Sequence, residues 1–311
     1  MISVEGLTHY YGERRAVEDI GFEIAENEIV GILGLNGAGK STTLKVLAGL
    51  LIPTAGTVKI DGTDLVSASA EFRSRIGYLP EDPPLYKEMT VVEFLTYCGQ
   101  LKGRSAADVK ARMPEVLHTC QLEHVQHRVI NELSHGYRKR VGIAQAIIHQ
   151  PRLIILDEPI SGLDPKQIVE MRGVVRELGK QCTVLISSHI LGEIGETCDR
   201  VIVLNGGKIV ASGRADQLAA QAGAVGTRVT LVVRGEKSTI EAALRSVSAV
   251  QTVSVEGEAD GTAKVHLAMA TDARESVVAA LVTAGVGVRR MVEDESELEN
   301  IFLGLTQGAT A

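Results

Sequence analysis

Between positions 34 and 41 the chain reads Gly34-Leu35-Asn36-Gly37-Ala38-Gly39-Lys40-Ser41, a G-x-x-x-x-G-K-[ST] pattern that Thr42 follows. Glycines let a backbone wrap phosphate oxygens, amides at a helix start supply positive potential, a lysine adds charge, and a serine hydroxyl suits Mg²⁺. Each feature answers a property of a nucleoside triphosphate. A second run, Leu153-Ile154-Ile155-Leu156-Asp157-Glu158, is apolar and ends in two carboxylates. If it is a buried strand ending beside the phosphate loop, Asp157 is placed to hold Mg²⁺ through water. A strand can also end in Asp-Glu as an ordinary solvated turn, and the run alone does not separate the two readings.

These residues need elements to position them. Short alternating or apolar runs at Ile2–Glu5, Ile20–Ile24, Glu28–Leu33 and Thr57–Ile60 predict strands. After Leu33, Leu44, Leu47, Ala48 and Leu51 recur at helical spacing, so the glycine-rich segment stands between a strand and a helix. Residues of about 85–150 predict a helical insertion, with Ser105 and Ser134 as N-caps. RLIILDE and TVLISSH predict buried parallel strands, and RVIVLNGGKIVASG predicts a hairpin that turns at Asn205-Gly206. Past about Gly223 the order becomes β-α-β-β-α-β, that of a ferredoxin-like sandwich, followed by a last helix, SELENIFLGL. The expected organisation is one domain over 1–222 and an accessory α+β domain over 225–311.

Composition agrees with an α/β class. Of 311 residues 45% are hydrophobic and only 3% aromatic, so the interior must be Val, Ile, Leu and Ala. Lys+Arg 32 against Asp+Glu 39 gives a formal charge of -7, which argues against broad capture of nucleic acid or anionic lipid. Cys98, Cys120, Cys182 and Cys198 lie far apart without metal-ligand spacing and read as reduced thiols. The opening MISVEGLTHYYG has neither a basic n-region nor an apolar h-region, and no run is long enough to span a bilayer. A cytoplasmic location is expected. The run Arg138-Lys139-Arg140 reads as a solvated helix face, with a role around bound phosphates as the minority alternative.

Leu133-Ser134-His135-Gly136-Tyr137, ahead of a helix and the Asp157-Glu158 strand, resembles the signature motif of the ATP-binding cassette (ABC) ATPases. Ser161-Gly162-Leu163-Asp164 is similar to that family's D-loop, His189 to its switch histidine, and Tyr11 to its adenine-stacking aromatic. Glu81 occupies the place of the Q-loop glutamine. Singly each has an ordinary structural explanation; the ordered set, spanning residues 1 to about 215, is specific.

The resemblance implies a P-loop NTPase cassette: a mixed sheet core, an antiparallel β subdomain and a helical insertion. It implies ATP and Mg²⁺ as ligands, with Ser41, Glu81 and Asp157 on the metal side and Glu158 and His189 as the catalytic pair. It implies a head-to-tail dimer of two copies, in which Ser134, Gly136 and Asp164 serve the nucleotide held by the other copy's phosphate loop. The signature variants and the C-terminal ELENIFLGLT resemble the ABC-2 exporter ATPases of the gliding-motility and drug- or polysaccharide-export branch. That branch implies a separately encoded membrane permease, peripheral attachment to the inner face of the membrane, and a docking groove near Leu85, Tyr86, Met89, Val91 and Phe94, residues that read equally as ordinary core of the insertion. The sequence departs from the common pattern at His135, Tyr137 and Glu81. A non-transport cassette ATPase and a low-turnover ATP sensor remain as alternatives.

Overall fold

The computed structural model describes residues 1–189, 191–221, 227–257 and 262–293. It divides into two compact units, Met1–Ala215 and Asp216–Ala311, so the break comes before the 222–225 segment expected from sequence.

The first unit opens with strands β1 (Ile2–Tyr11), β2 (Arg14–Ile24) and β3 (Ile29–Leu33), then helix α1 (Lys40–Leu47) and strands β4 (Ala55–Ile60) and β5 (Thr63–Asp64). Helix α2 (Ser69–Ser74) leads to β6 (Ile76–Leu79), an edge strand too short to declare itself by periodicity. The insertion follows as α3 (Val91–Leu101), α4 (Ala106–Thr119) and α5 (His135–Ile147). Then come β7 (Leu153–Asp157), α6 (Pro165–Gly179), β8 (Thr183–Ser188), α7 (Leu191–Gly195), β9 (Arg200–Asn205) and β10 (Lys208–Gly213).

Two sheets result. The order β2-β1-β4-β5 is antiparallel, and a six-stranded sheet runs β10-β9-β3-β8-β7-β6. Its members β3, β6, β7, β8 and β9 are parallel, with β10 turned back on β9. Every residue of β3, β7 and β8 is buried, as the apolar runs Ile29–Leu33, Leu153–Leu156 and Val184–Ile186 require of strands covered on both faces. Because these three are parallel, the segments after Leu33, Asp157 and Ser188 leave from one edge of the sheet, where ligands of open α/β sheets bind.

Capping fixes the insertion. Ser105 and Asp108 close a reciprocal box at the start of α4, and Thr90 and Glu93 do the same for α3. Ser134 caps α5, its hydroxyl accepting the Tyr137 N–H at 3.5 Å. The β9–β10 turn corrects the expected register. Its central residues are Gly206 and Gly207, with φ of 54° and 82°, because a two-residue turn of this hand needs positive φ at both positions. All four cysteines are free, and burial pushes Cys98 up to about 11 and Cys182 and Cys198 up to about 12.

The second unit contains α8 (Ala215–Gln221, which begins at the break), β11 (Thr227–Arg234), α9 (Lys237–Arg245), β12 (Val250–Gly257), β13 (Thr262–Met269), α10 (Arg274–Thr283) and β14 (Gly287–Glu293). Its sheet, β12-β13-β11-β14, is antiparallel and has the ferredoxin-like order. Val229, Leu231, Val265 and Leu267 form its core with Ile240, Leu244, Val277 and Leu281 from the two helices α9 and α10. The predicted helix SELENIFLGL, residues 296–305, lies outside the described residues.

Candidate active site

The loop between β3 and α1 is built on its glycines. Gly39, at φ 101°, caps α1 with no side chain, so the first amides of that helix are left for a ligand. A β-carbon there would stand 2.8 Å from the Ala16 carbonyl oxygen. Gly37, at φ 87°, faces open space, and the cradle stays clear for an incoming oxygen. Lys40 is buried, its Nζ donating to the Gly34 carbonyl at 2.7 Å and lying 3.6 Å from Glu158 Oε1.

At the end of β7 the two carboxylates have separate supports. Asp157 Oδ1 accepts from the Ser187 hydroxyl at 2.6 Å, and that hydroxyl oxygen accepts the Glu158 N–H at 2.9 Å. Glu158 adopts φ 48°, uncommon for a residue with a side chain. Its Oε2 meets His189 Nδ1 at 2.9 Å. Behind them Tyr78 is pushed up to about 12 by burial and then by the charge of Asp157.

Of the predicted residues, Tyr11, Leu35, Asn36, Gly37, Gly39, Lys40, Ser41, Thr42, Glu81, Glu158 and His189 line one cavity of about 360 Å³. Gly34, Ala38 and Asp157 are buried and do not line it. Ser134, Gly136 and Asp164 do not reach it. Ser134 and Asp164 are exposed at the starts of α5 and α6, and Gly136 shares with Asp164 a separate depression of about 170 Å³. Arg14 and Arg15 line the mouth and were not expected; their place on the Tyr11 hairpin was the available signal. A larger cavity of about 560 Å³ opens among residues that precede β3, β7 and β8, including Asn27 and Arg152, away from these groups.

One expectation needs correction. Lys139 and Arg140 are not a solvated face, the two residues being only 2% and 4% exposed. Lys139 Nζ donates to the carbonyl oxygens of Glu81 and Glu158, while Arg140 bonds Gln121 and Glu170 and lies 5.4 Å from the Tyr137 ring. Their burial follows from α5, whose later residues Val141, Gly142, Ile143 and Ala144 are buried on every face. In the expected docking groove Val91 and Phe94 are core, and Leu85 and Met89 pack against it. Tyr86 is 51% exposed, leaning on Phe94 and Tyr97.

Comparison with known proteins decides the family. A family model described as ABC transporter matches residues 17–161. An uncharacterized ABC transporter ATP-binding protein of Bacillus subtilis, YxlF, is 42% identical over 221 residues, 71% of this chain and 73% of that protein. The chain belongs to the ABC transporter ATP-binding proteins. This cassette is also 33% identical to the daunorubicin resistance ATP-binding protein DrrA3 of Streptomyces coeruleorubidus, over 98% of this chain and 95% of that one. A bacterial ABC transporter cassette solved as a dimer matches 69% of the chain and 98% of its own at 28% identity, with a TM-score of 0.62. The cassette therefore has the P-loop ABC fold of an ATP-binding subunit that hydrolyses ATP in coupling to transport. Some of its relatives are named for drug resistance or export, consistent with the ABC-2 exporter branch. Among the described residues no helix is long and apolar enough to cross a membrane.

The donor set suits a hard cation. No three His, Cys, Asp or Glu side chains among the described residues group to hold a metal alone. Ser41 and Glu81 line the cavity and Asp157 ends the adjoining strand β7, and such oxygen donors are of the kind a hard cation such as Mg²⁺ takes.

Proposed function

We propose that residues 1–222 form the nucleotide-binding domain of an ABC-2-type exporter and that two copies close on two ATP molecules. In this reading the phosphate loop, Gly34 to Thr42, cradles the triphosphate and Tyr11 stacks on the base. Ser41 and Asp157 hold Mg²⁺ with Glu81 alongside, and the ion neutralises charge on the phosphate oxygens when bound. Glu158 orients and deprotonates the attacking water, and His189 keeps that carboxylate aimed while contacting the terminal phosphate.

Ser134, Gly136 and Asp164 act on the other copy's nucleotide. Supporting this, Ser134 and Asp164 are exposed at helix starts, Gly136 shares a separate depression with Asp164, and all three lie outside their own chain's cavity, so neither copy alone surrounds the terminal phosphate. The partner that receives the motion is a separately encoded permease that docks against Tyr86 and holds the cassette at the inner face of the membrane. Residues 225–311 take a regulatory or dimer-stabilising role, argued only from the fold.

The observation that carries the reading is the Glu158 carboxylate, fixed between Lys40 and His189 on the wall of the phosphate cavity. Glu158→Gln should still bind MgATP, lose turnover by about 10²-fold or more, and accumulate as an ATP-bound dimer in sedimentation. Wild-type turnover in that variant would remove Glu158 as the base.

A further inference from the structure

The sheet of the second unit buries one face and leaves the other open at its edges. Val229, Leu231, Val265 and Leu267 are buried with α9 and α10, so the residues between them, which alternate along each strand, share the opposite face. Strand register sets those residues in rows across β12-β13-β11-β14. One row is Glu256, Lys264, Val232 and Arg290; the next is Ser254, His266, Thr230 and Val292. The Thr230 hydroxyl lies 3.0 Å from His266 Nδ1, which holds that pair on this face. Glu256, Ser254 and Arg290 are exposed, and Val292 is 39% exposed. Among the described residues Glu256, Lys264 and Arg290 have no ion-pair partner.

The order of charges in the first row suits a second copy of the same face. Its negative end is on edge strand β12 and its positive end on the opposite edge strand, β14. A two-fold axis parallel to the strands, lying between two such faces, reverses the row. Glu256 of each copy then stands over Arg290 of the other, and Lys264 over Val232. In the second row Ser254 stands over Val292 and His266 over Thr230. Two-fold contacts are self-complementary in this way, and sheets packed face to face keep their strands roughly aligned. An axis across the strands would instead set β12 over β12 and β14 over β14, leaving each edge against its own charge. An anionic polymer or lipid surface would leave Glu256 repelled, so the face fits its own copy better.

We infer that this face is a contact between two copies of the chain, joined through their second units with Glu256 of each against Arg290 of the other. The inference rests on the dimer-stabilising role proposed for residues 225–311 and gives that role a surface. Four strands about 4.8 Å apart span less than about 20 Å, so the contact buries less than about 1,000 Å² and is weak by itself. Tethering strengthens it once the two cassettes are already joined.

The test is sedimentation equilibrium of the full chain without nucleotide. Wild type should associate reversibly below about 300 µM. Glu256→Arg and Arg290→Glu should each weaken association by about tenfold or more, because both symmetric pairs become repulsive. An equimolar mixture of the two variants should return to within about threefold of wild type, since in the mixed dimer both pairs are again of opposite sign. The double variant, with the charges exchanged, should do the same. Thermal melting reads folding in each case. Should a single variant fail to fold, Val232→Lys sets a second cation over the other copy's Lys264 and should weaken association by a similar factor. Association insensitive to every substitution, or a mixture no stronger than its components, overturns this face while leaving dimer stabilisation by residues 225–311 to another surface. A wild type that stays monomeric through about 300 µM overturns both. None of these positions lines the nucleotide cavity, so the hydrolytic reading is decided separately by Glu158→Gln.

Discussion

His189 Nδ1 lies 2.9 Å from Glu158 Oε2, the two residues standing just beyond the ends of the adjacent parallel strands β8 and β7. The imidazole is 46% exposed and the carboxylate 10%, so the histidine approaches from the open side of the cavity and steadies a group rooted in the sheet. His189→Ala should therefore leave stability and nucleotide affinity nearly unchanged while lowering kcat by about 10²-fold. ATP titrations of steady-state hydrolysis check this, and an unaltered kcat would remove His189 from the chemistry.

Ser187 has a role that its sequence did not announce. One buried hydroxyl donates to Asp157 and accepts from the Glu158 amide, so Ser187→Ala strands a buried carboxylate oxygen and a buried N–H together. The expected cost is about 1–3 kcal/mol in urea denaturation, with reduced turnover. A loss below about 0.5 kcal/mol would show that neither group depends on the hydroxyl.

What was legible in the sequence was the chemistry that must be contiguous. A phosphate loop needs its glycines, lysine and serine within one turn of chain, so Gly34 to Ser41 could be read directly, and Leu153 to Glu158 likewise. The β-α-β-β-α-β order of the second unit was legible for a related reason, since each element carries its own periodicity. What stayed hidden depends on residues far apart in sequence. Lys139 reads as a surface residue until the Glu81 and Glu158 carbonyls arrive above it, and β6 is a strand because it pairs with β7. The buried run from Val141 onward was the available sign that α5 is central to the core.

Acid should destabilise the cassette through a residue remote from the nucleotide. His149 is buried, its Nε2 donating to the Ile76 carbonyl at 2.9 Å while Nδ1 has no partner among the described residues. Burial, with the charges of Lys102 and Arg104, pushes its pKa down from 6.5 to about 4. Between those values the unfolded chain binds the proton and the folded one does not, so stability falls as pH falls through that window. From pH 7 to pH 5 wild type should lose roughly 2 kcal/mol more than His149→Gln, whose amide can still donate to Ile76. Parallel loss in the two proteins would refute this source of acid sensitivity.

The central claim is that each catalytic site is completed by the signature helix of a second copy, and a mixing experiment tests it most directly. Lys40→Ala removes the phosphate-loop charge, whereas Ser134→Asp keeps an N-cap on α5 and sets a carboxylate against the facing triphosphate. Each variant alone should be inactive. In a mixed dimer one site carries both defects and the other carries neither, so combining equal amounts should restore turnover, up to about a quarter of wild type if subunits pair at random and sites act independently. A mixture as inactive as its components, or full activity in Ser134→Asp alone, would contradict the shared site.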